Sequence, residues 1–199
     1  MKPILFNTGM IRAILEDRKT VTRRVVKFNK GQNPKWTGYV PDGDVLYGSN
    51  NMPAAKSPFR KDDVLWVRET FAQPAKHTFW YKADFKLQNI LWRPSIHMPR
   101  EAARLFLMVT SVRVERLQAI TEDDAEAEGA EKMYPYTDPE TGETAFLLHQ
   151  NGTFRAGFSQ IWDNTIKSAD RTTCGWEANP WVWVIEFEQI SKEEAINGA

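Results

Sequence analysis

Six stretches of this chain read as β-strands: "KPILFN", "KTVTRRVV", "VLWVRETF", "TFWYKA", "RLFLMVTSVRVERL" and "WVWVIEFEQI". Each is rich in β-branched and aromatic residues, and several alternate apolar with charged positions. Consecutive strands are not separated by regular crossover helices. A parallel, doubly wound sheet needs such helices. The pattern therefore predicts an α+β fold, a small and partly open β-barrel with helices packed on it.

The helices are few and short. Met10, Ile11, Ile14 and Leu15 recur at helical spacing after a cap at Asn7 or Thr8, and that helix should stop near Arg18. "ITEDDAEAEGAE" predicts a second helix, capped by Thr121, with acids in its first turn and a stop at Gly129. "FRAGFSQIWDNTI" predicts a third, with Phe154, Phe158, Ile161 and Trp162 on one face. Two segments read as insertions, one near residues 27–60 and one near 131–153. Within the first, "YVPDGDVLY" predicts a hairpin turning at Asp42-Gly43. The second, rich in Pro, Gly, Thr and Tyr, reads as a loop. Residues 1–199 are expected to form one domain carrying these insertions, since domains commonly run to roughly 100–200 residues.

Composition removes several classes of function. Acidic and basic residues balance at 26 each, so no global basic field draws nucleic acid indiscriminately. The chain has one cysteine, Cys174, which excludes an intramolecular disulfide framework and a cysteine-rich zinc site. His77, His97 and His149 share no ligand spacing, so no metal and no cofactor are expected. The opening apolar run is too short for a signal peptide, and no stretch approaches the roughly 20 apolar residues of a spanning helix. A cytoplasmic location without membrane contact is the expectation.

Two groups of residues invite chemistry. Arg68, Arg93, Arg100 and Arg104 stand amid Trp66, Trp92, Trp176 and Trp181, where guanidinium forks suit phosphates and aromatic faces suit bases. The same mixture also describes arginine stems lying over tryptophans on an ordinary surface. In "EDRKTVTRR", Lys19 falls where the first helix hands over to a strand, with Thr22 three residues later. A lysine held near apolar walls loses its proton more readily, and a threonine beside it can become a nucleophile. An exposed, charged strand is the plain alternative.

The stretch "EDRKTVTRR" resembles the G-x-K-x-x-E/T-x-R signature of the ASCH domain family of PUA-like barrels, with Asp17 in place of the usual glycine. "KDDVLWVRET" is similar to the family's strand after a Gly-Asp turn, with Lys61 where glycine is common. "VERLQAITEDDAEAEG" and "WVWVIEFEQI" resemble its strand-to-helix passage and its last strand. The likeness extends over most of the chain outside the two insertions, and is greatest to the larger members encoded by phages and prophages.

The resemblance implies a PUA-like barrel with a cleft, and a nucleoside or short RNA as ligand. One bacterial member type is an N4-acetylcytidine amidohydrolase that uses a lysine, a threonine and a glutamate. Those positions fall on Lys19, Thr22 and Glu128, and the arginine closing the motif falls on Arg24. The expectation is an amidohydrolase with Lys19, Thr22 and Glu128 catalytic, and with Arg24, Arg68, Trp66, Arg93 and Arg100 binding the ligand. The alternatives are a non-catalytic module that binds RNA or a modified nucleotide, and a metal-independent ribonuclease.

Overall fold

A computed structural model describes residues 1–29, 40–42, 45–47, 53–85 and 89–198. The fold is α+β: one five-stranded sheet, three small sheets and five α-helices among the described residues, with no closed barrel. The chain divides into two compact units. The first comprises Met1–Thr20, Arg60–Ser111 and Glu186–Ala199, and the second Val21–Phe59 and Val112–Ile185.

The first unit opens with strand β1, Lys2–Leu5, and helix α1, Thr8–Leu15. Asn7 caps the helix, its side chain accepting from the Met10 amide at 2.9 Å. Helix α1 stops three residues earlier than expected. Asp17 turns left-handed, with φ +54°. The Asp17 amide donates to the Ile14 carbonyl and the Arg18 amide to the Ala13 carbonyl, the paired bonds of a Schellman terminus.

Strand β2, Val21–Val25, begins the second unit. There follow β3 (Val40–Asp42), β4 (Val45–Tyr47) and β5 (Pro53–Lys56), a three-stranded antiparallel sheet. β3 and β4 form the expected hairpin, but Asp42 pairs with Val45 and so belongs to the strand rather than to the turn, and Gly43 lies outside the described residues.

Back in the first unit, β6 (Val64–Arg68) pairs parallel with β1, and β7 (Phe71–Ala75) forms an antiparallel ribbon with β8 (Thr78–Tyr81). The left-handed residue ahead of β6 is Asp62, φ +67°. It stands one position later than Lys61, where the sequence comparison set the glycine. Strand β9, Phe106–Arg116, pairs antiparallel with β6 at its start and runs into the second unit.

Helix α2, Glu122–Ala127, is capped by Thr121 as expected, and Gly129 (φ +81°) ends it. Residues 131–153 are not the loop that composition suggested. They contain a two-stranded hairpin, β10 (Met133–Thr137) with β11 (Thr144–Leu148). Pro135 and the polar residues obscured it, because the strands are largely exposed and carry no buried face to set a period of two.

Helix α3 spans Phe154–Thr165 and α4 spans Arg171–Cys174. Strand β12, Trp181–Ile190, starts in the second unit and ends in the first. The tail beyond it is a helix, α5 (Lys192–Asn197), held by a Ser191–Glu194 capping box. The large sheet has the order β1-β6-β9-β12-β2.

The second unit has its own core. Val21, Leu117, Ile120, Ala125, Phe158, Trp162, Val182 and Val184 form one buried cluster. Full burial of each large side chain there is worth roughly 1.5–3 kcal/mol. Helix α3 lies close enough to the chain below it that a Cβ on Gly157 would collide with the Glu131 carbonyl oxygen. In the first unit, smaller clusters form around Val64, Ala103, Phe106 and Ala195, and around Phe71, Met98 and Ala102. Among the described residues, no helix is long and apolar enough to cross a membrane.

Candidate functional site

Strand β2 carries the centre of interest in the second unit. Alternation puts Thr22 and Arg24 on one face and Arg23 on the other. Thr22 is completely buried, and its Oγ1 makes no hydrogen bond among the described residues. Buried hydroxyls normally have a partner, so an orphan of this kind calls for a reason.

Glu128 is the C-cap residue of α2. Among the five acids of residues 122–128 it alone is buried, at 3% exposure. The others are spent differently. Glu122 accepts from the Phe154 and Arg155 amides at the start of α3, and Asp124 pairs with Arg23 and Arg113. A Schellman terminus sets the position of Glu128: the Gly129 amide donates to the Glu126 carbonyl, and the Ala130 amide to the Ala125 carbonyl.

Arg23, which the sequence reading passed over, organises the charges of this unit. Its guanidinium is fully buried. Nε and Nη2 donate to Glu115 Oε1 at 3.0 and 2.7 Å, Nη2 to Asp124 Oδ2 at 2.7 Å, and Nη1 to Glu128 Oε1 at 3.2 Å. Its ring neighbour is Phe158, 5.8 Å from the guanidinium carbon. Burial lowers the Arg23 pKa, but the fields and hydrogen bonds of Glu128, Glu115 and Asp124 outweigh it, and the net shift is upward. Arg24 goes the other way. Burial pushes its pKa down, and the field of Glu128 offsets only part of that. Glu128 therefore lies within the influence of two arginines of β2.

Lys19 belongs to the first unit. It precedes the regular strand and is buried at 2% exposure. Its Nζ lies 5.6 Å from the centre of the Phe6 ring, and its amide donates to the Ala13 carbonyl.

Of the expected ligand-binding residues, Trp66, Arg68, Arg93 and Arg100 belong to the first unit. Arg68 lies over Trp66 at 5.4 Å and donates to the Ile96 carbonyl. Arg100 is exposed, with its Nη2 against the Met1 sulfur, and Arg93 is exposed beside Phe71, with which it shares a backbone bridge. Arg104, which the sequence set among the same arginines and tryptophans, is held instead by two acids of this unit. Arg104 grips Glu69 with two bonds of 2.8 and 3.0 Å, holds Asp84 at 2.8 Å and stacks on Tyr81 at 4.0 Å. Glu69 is buried. Burial raises its pKa, and Arg104, shared with Asp84, reverses this only in part.

Among the described residues, no group of three or more His, Cys, Asp or Glu side chains could hold a metal ion. Comparison with family models, curated proteins and solved structures gives no match.

Proposed function

We propose that this chain is an ASCH-type, PUA-like protein that hydrolyses the amide of an N4-acylated cytosine nucleoside. The observation that carries the reading is the hydroxyl of Thr22, fully buried on β2 and without a hydrogen-bond partner among the described residues. A hydroxyl kept dry at such a cost is suited to meet a substrate atom. Two further facts support it. Glu128 is the one buried acid of its helix, and Lys19, two residues before the second unit begins, is also buried.

In this reading, Lys19 takes the proton of Thr22 or orients a water. The hydroxyl oxygen or that water adds to the acyl carbonyl as its proton passes to Lys19. The acyl C–N bond then breaks while Glu128 relays that proton to the leaving cytosine amine. On the threonine route a second water hydrolyses the acyl-Thr22 ester, releasing the carboxylic acid and restoring the hydroxyl. Each proton-transfer group of this kind contributes a factor of roughly 10²–10⁴ in rate. Arg24 lies on the same strand face as Thr22 and would stabilise the developing oxyanion.

A second reading is favoured by the 3.2 Å bond between Arg23 and Glu128. That pair suits a structural carboxylate, and then the same residues would bind a modified base without turnover. Incubating the protein with N4-acetylcytidine, and following cytidine by chromatography, separates the two. The hydrolytic reading expects release by the wild type and its loss in Lys19→Ala. Absence of product, or equal product from both proteins, rejects it. Saturable quenching of tryptophan fluorescence without product then supports binding alone.

A further inference from the structure

The second unit contains a cavity of about 460 Å³ where β2 and β9 end and β12 begins. This falls within the roughly 300–1,000 Å³ of small-molecule sites. Val25, Val26, Phe28, Pro180 and Trp181 give it apolar walls. Two backbone bonds fix its frame: the Val26 amide donates to the Trp181 carbonyl at 2.9 Å, and the Leu117 amide to the Pro180 carbonyl at 2.9 Å.

Among the described residues of the lining, Arg116 is the only charged one. Its guanidinium stacks on Trp181 at 4.4 Å, and Nη1 donates to the Asn179 carbonyl at 3.1 Å. Among the described residues, no carboxylate lies within ion-pair distance of it. Arg23 and Arg113 of the same unit, by contrast, each hold carboxylates. A half-buried cation set in an apolar hollow attracts an anion more strongly than a solvated one does. The indole beneath it and Phe28 in the wall favour a flat, aromatic body.

We propose that this cavity binds a small planar aromatic anion, whose carboxylate or phosphate meets Arg116 and whose ring lies among Trp181, Phe28 and Pro180. The site does not include Thr22 or Glu128, and the proposal stands or falls independently of the hydrolytic reading.

Cys174 also lines the cavity and is the one cysteine of the chain, so its alkylation by uncharged iodoacetamide reports occupancy at a single place. Two matched pairs serve as probes: indole-3-carboxylate with indole-3-carboxamide, and cytidine 5′-monophosphate with cytidine. At least one anion should slow alkylation saturably, and its neutral counterpart should need a roughly tenfold or higher concentration, as expected for losing a charge-assisted contact. Protection by the first anion alone identifies a carboxylate ligand, and by the second alone a phosphate ligand. Arg116→Met should abolish the difference within the pair, and Arg116→Lys should keep part of it. Equal protection by charged and neutral partners in the wild type overturns the proposal, whatever the variants do. So does protection by inorganic phosphate as good as by the nucleotide, or none by either anion at millimolar concentration.

Discussion

Replacing Arg23 by methionine tests the electrostatic core of the second unit. The side chain is fully buried and makes four hydrogen bonds to three carboxylates. Methionine fills similar space, so packing changes little and the loss is mainly of charge. The three acids then fare differently. Glu115 and Asp124 keep Arg113 at 3.5 and 2.8 Å, and their side chains are 19% and 25% exposed, so water and a second cation take over. Glu128, at 2%, has no such recourse to solvent, although it stays within the field of Arg24. Breaking one partner out of a buried ion pair costs roughly 3–5 kcal/mol. In a chain of this size, each kcal/mol moves the melting temperature by about 2–4 °C, so a fall of roughly 6–20 °C is expected. Urea unfolding followed by circular dichroism measures the loss, and a second variant assigns it. Arg23→Met with Glu128→Gln should recover at least about 1 kcal/mol, because the buried charge that had faced Arg23 is gone. A single-variant loss below about 1 kcal/mol, or no recovery in the pair, would refute the assignment of Glu128 as the residue that depends on Arg23.

Two other substitutions test the local geometry. Gly157→Ala gains up to about 1 kcal/mol of helix propensity, yet should destabilise by roughly 1–3 kcal/mol because the new methyl meets the Glu131 carbonyl; unchanged or increased stability in urea would contradict that close approach. Asp17→Gly should raise stability by about 0.5 kcal/mol, since it relieves a left-handed non-glycine residue at the end of α1; a loss of stability would show that the Asp17 side chain matters more than its backbone.

The strands dense in apolar residues were legible in the sequence. β6 brings Val, Leu and Trp to the sheet and β12 brings Val, Ile, Phe and Trp, and most of these side chains are buried. Gly129 announced the end of α2, because a glycine there reads directly as a left-handed cap. Asp17 performs the same service for α1 and announced nothing, since aspartate is as common in exposed turns as at helix ends. The β10–β11 hairpin was hidden for a related reason: both of its faces are largely exposed, so no apolar alternation marks it.

At the candidate site, the family resemblance picked out Lys19, Thr22 and Glu128, all buried polar residues. It overlooked Arg23, the most connected of their neighbours. Nothing in "TRR" says which arginine goes inward, because that depends on Glu115, Asp124 and Glu128 arriving from β9 and α2. The pairing of Arg104 with Glu69 and Asp84 was invisible for the same cause, with partners 35 and 20 residues away. The cavity beside Trp181 likewise joins the ends of three strands that no linear motif connects.

The most direct test of the hydrolytic reading is Thr22→Val, measured for both stability and cytidine release from N4-acetylcytidine. Valine keeps the shape and removes a hydroxyl that has no hydrogen-bond partner among the described residues. The reading predicts a protein as stable as the wild type, or more stable by about 1 kcal/mol, whose release of cytidine falls by a factor of roughly 10² or more. A valine variant that releases cytidine at the wild-type rate would contradict it.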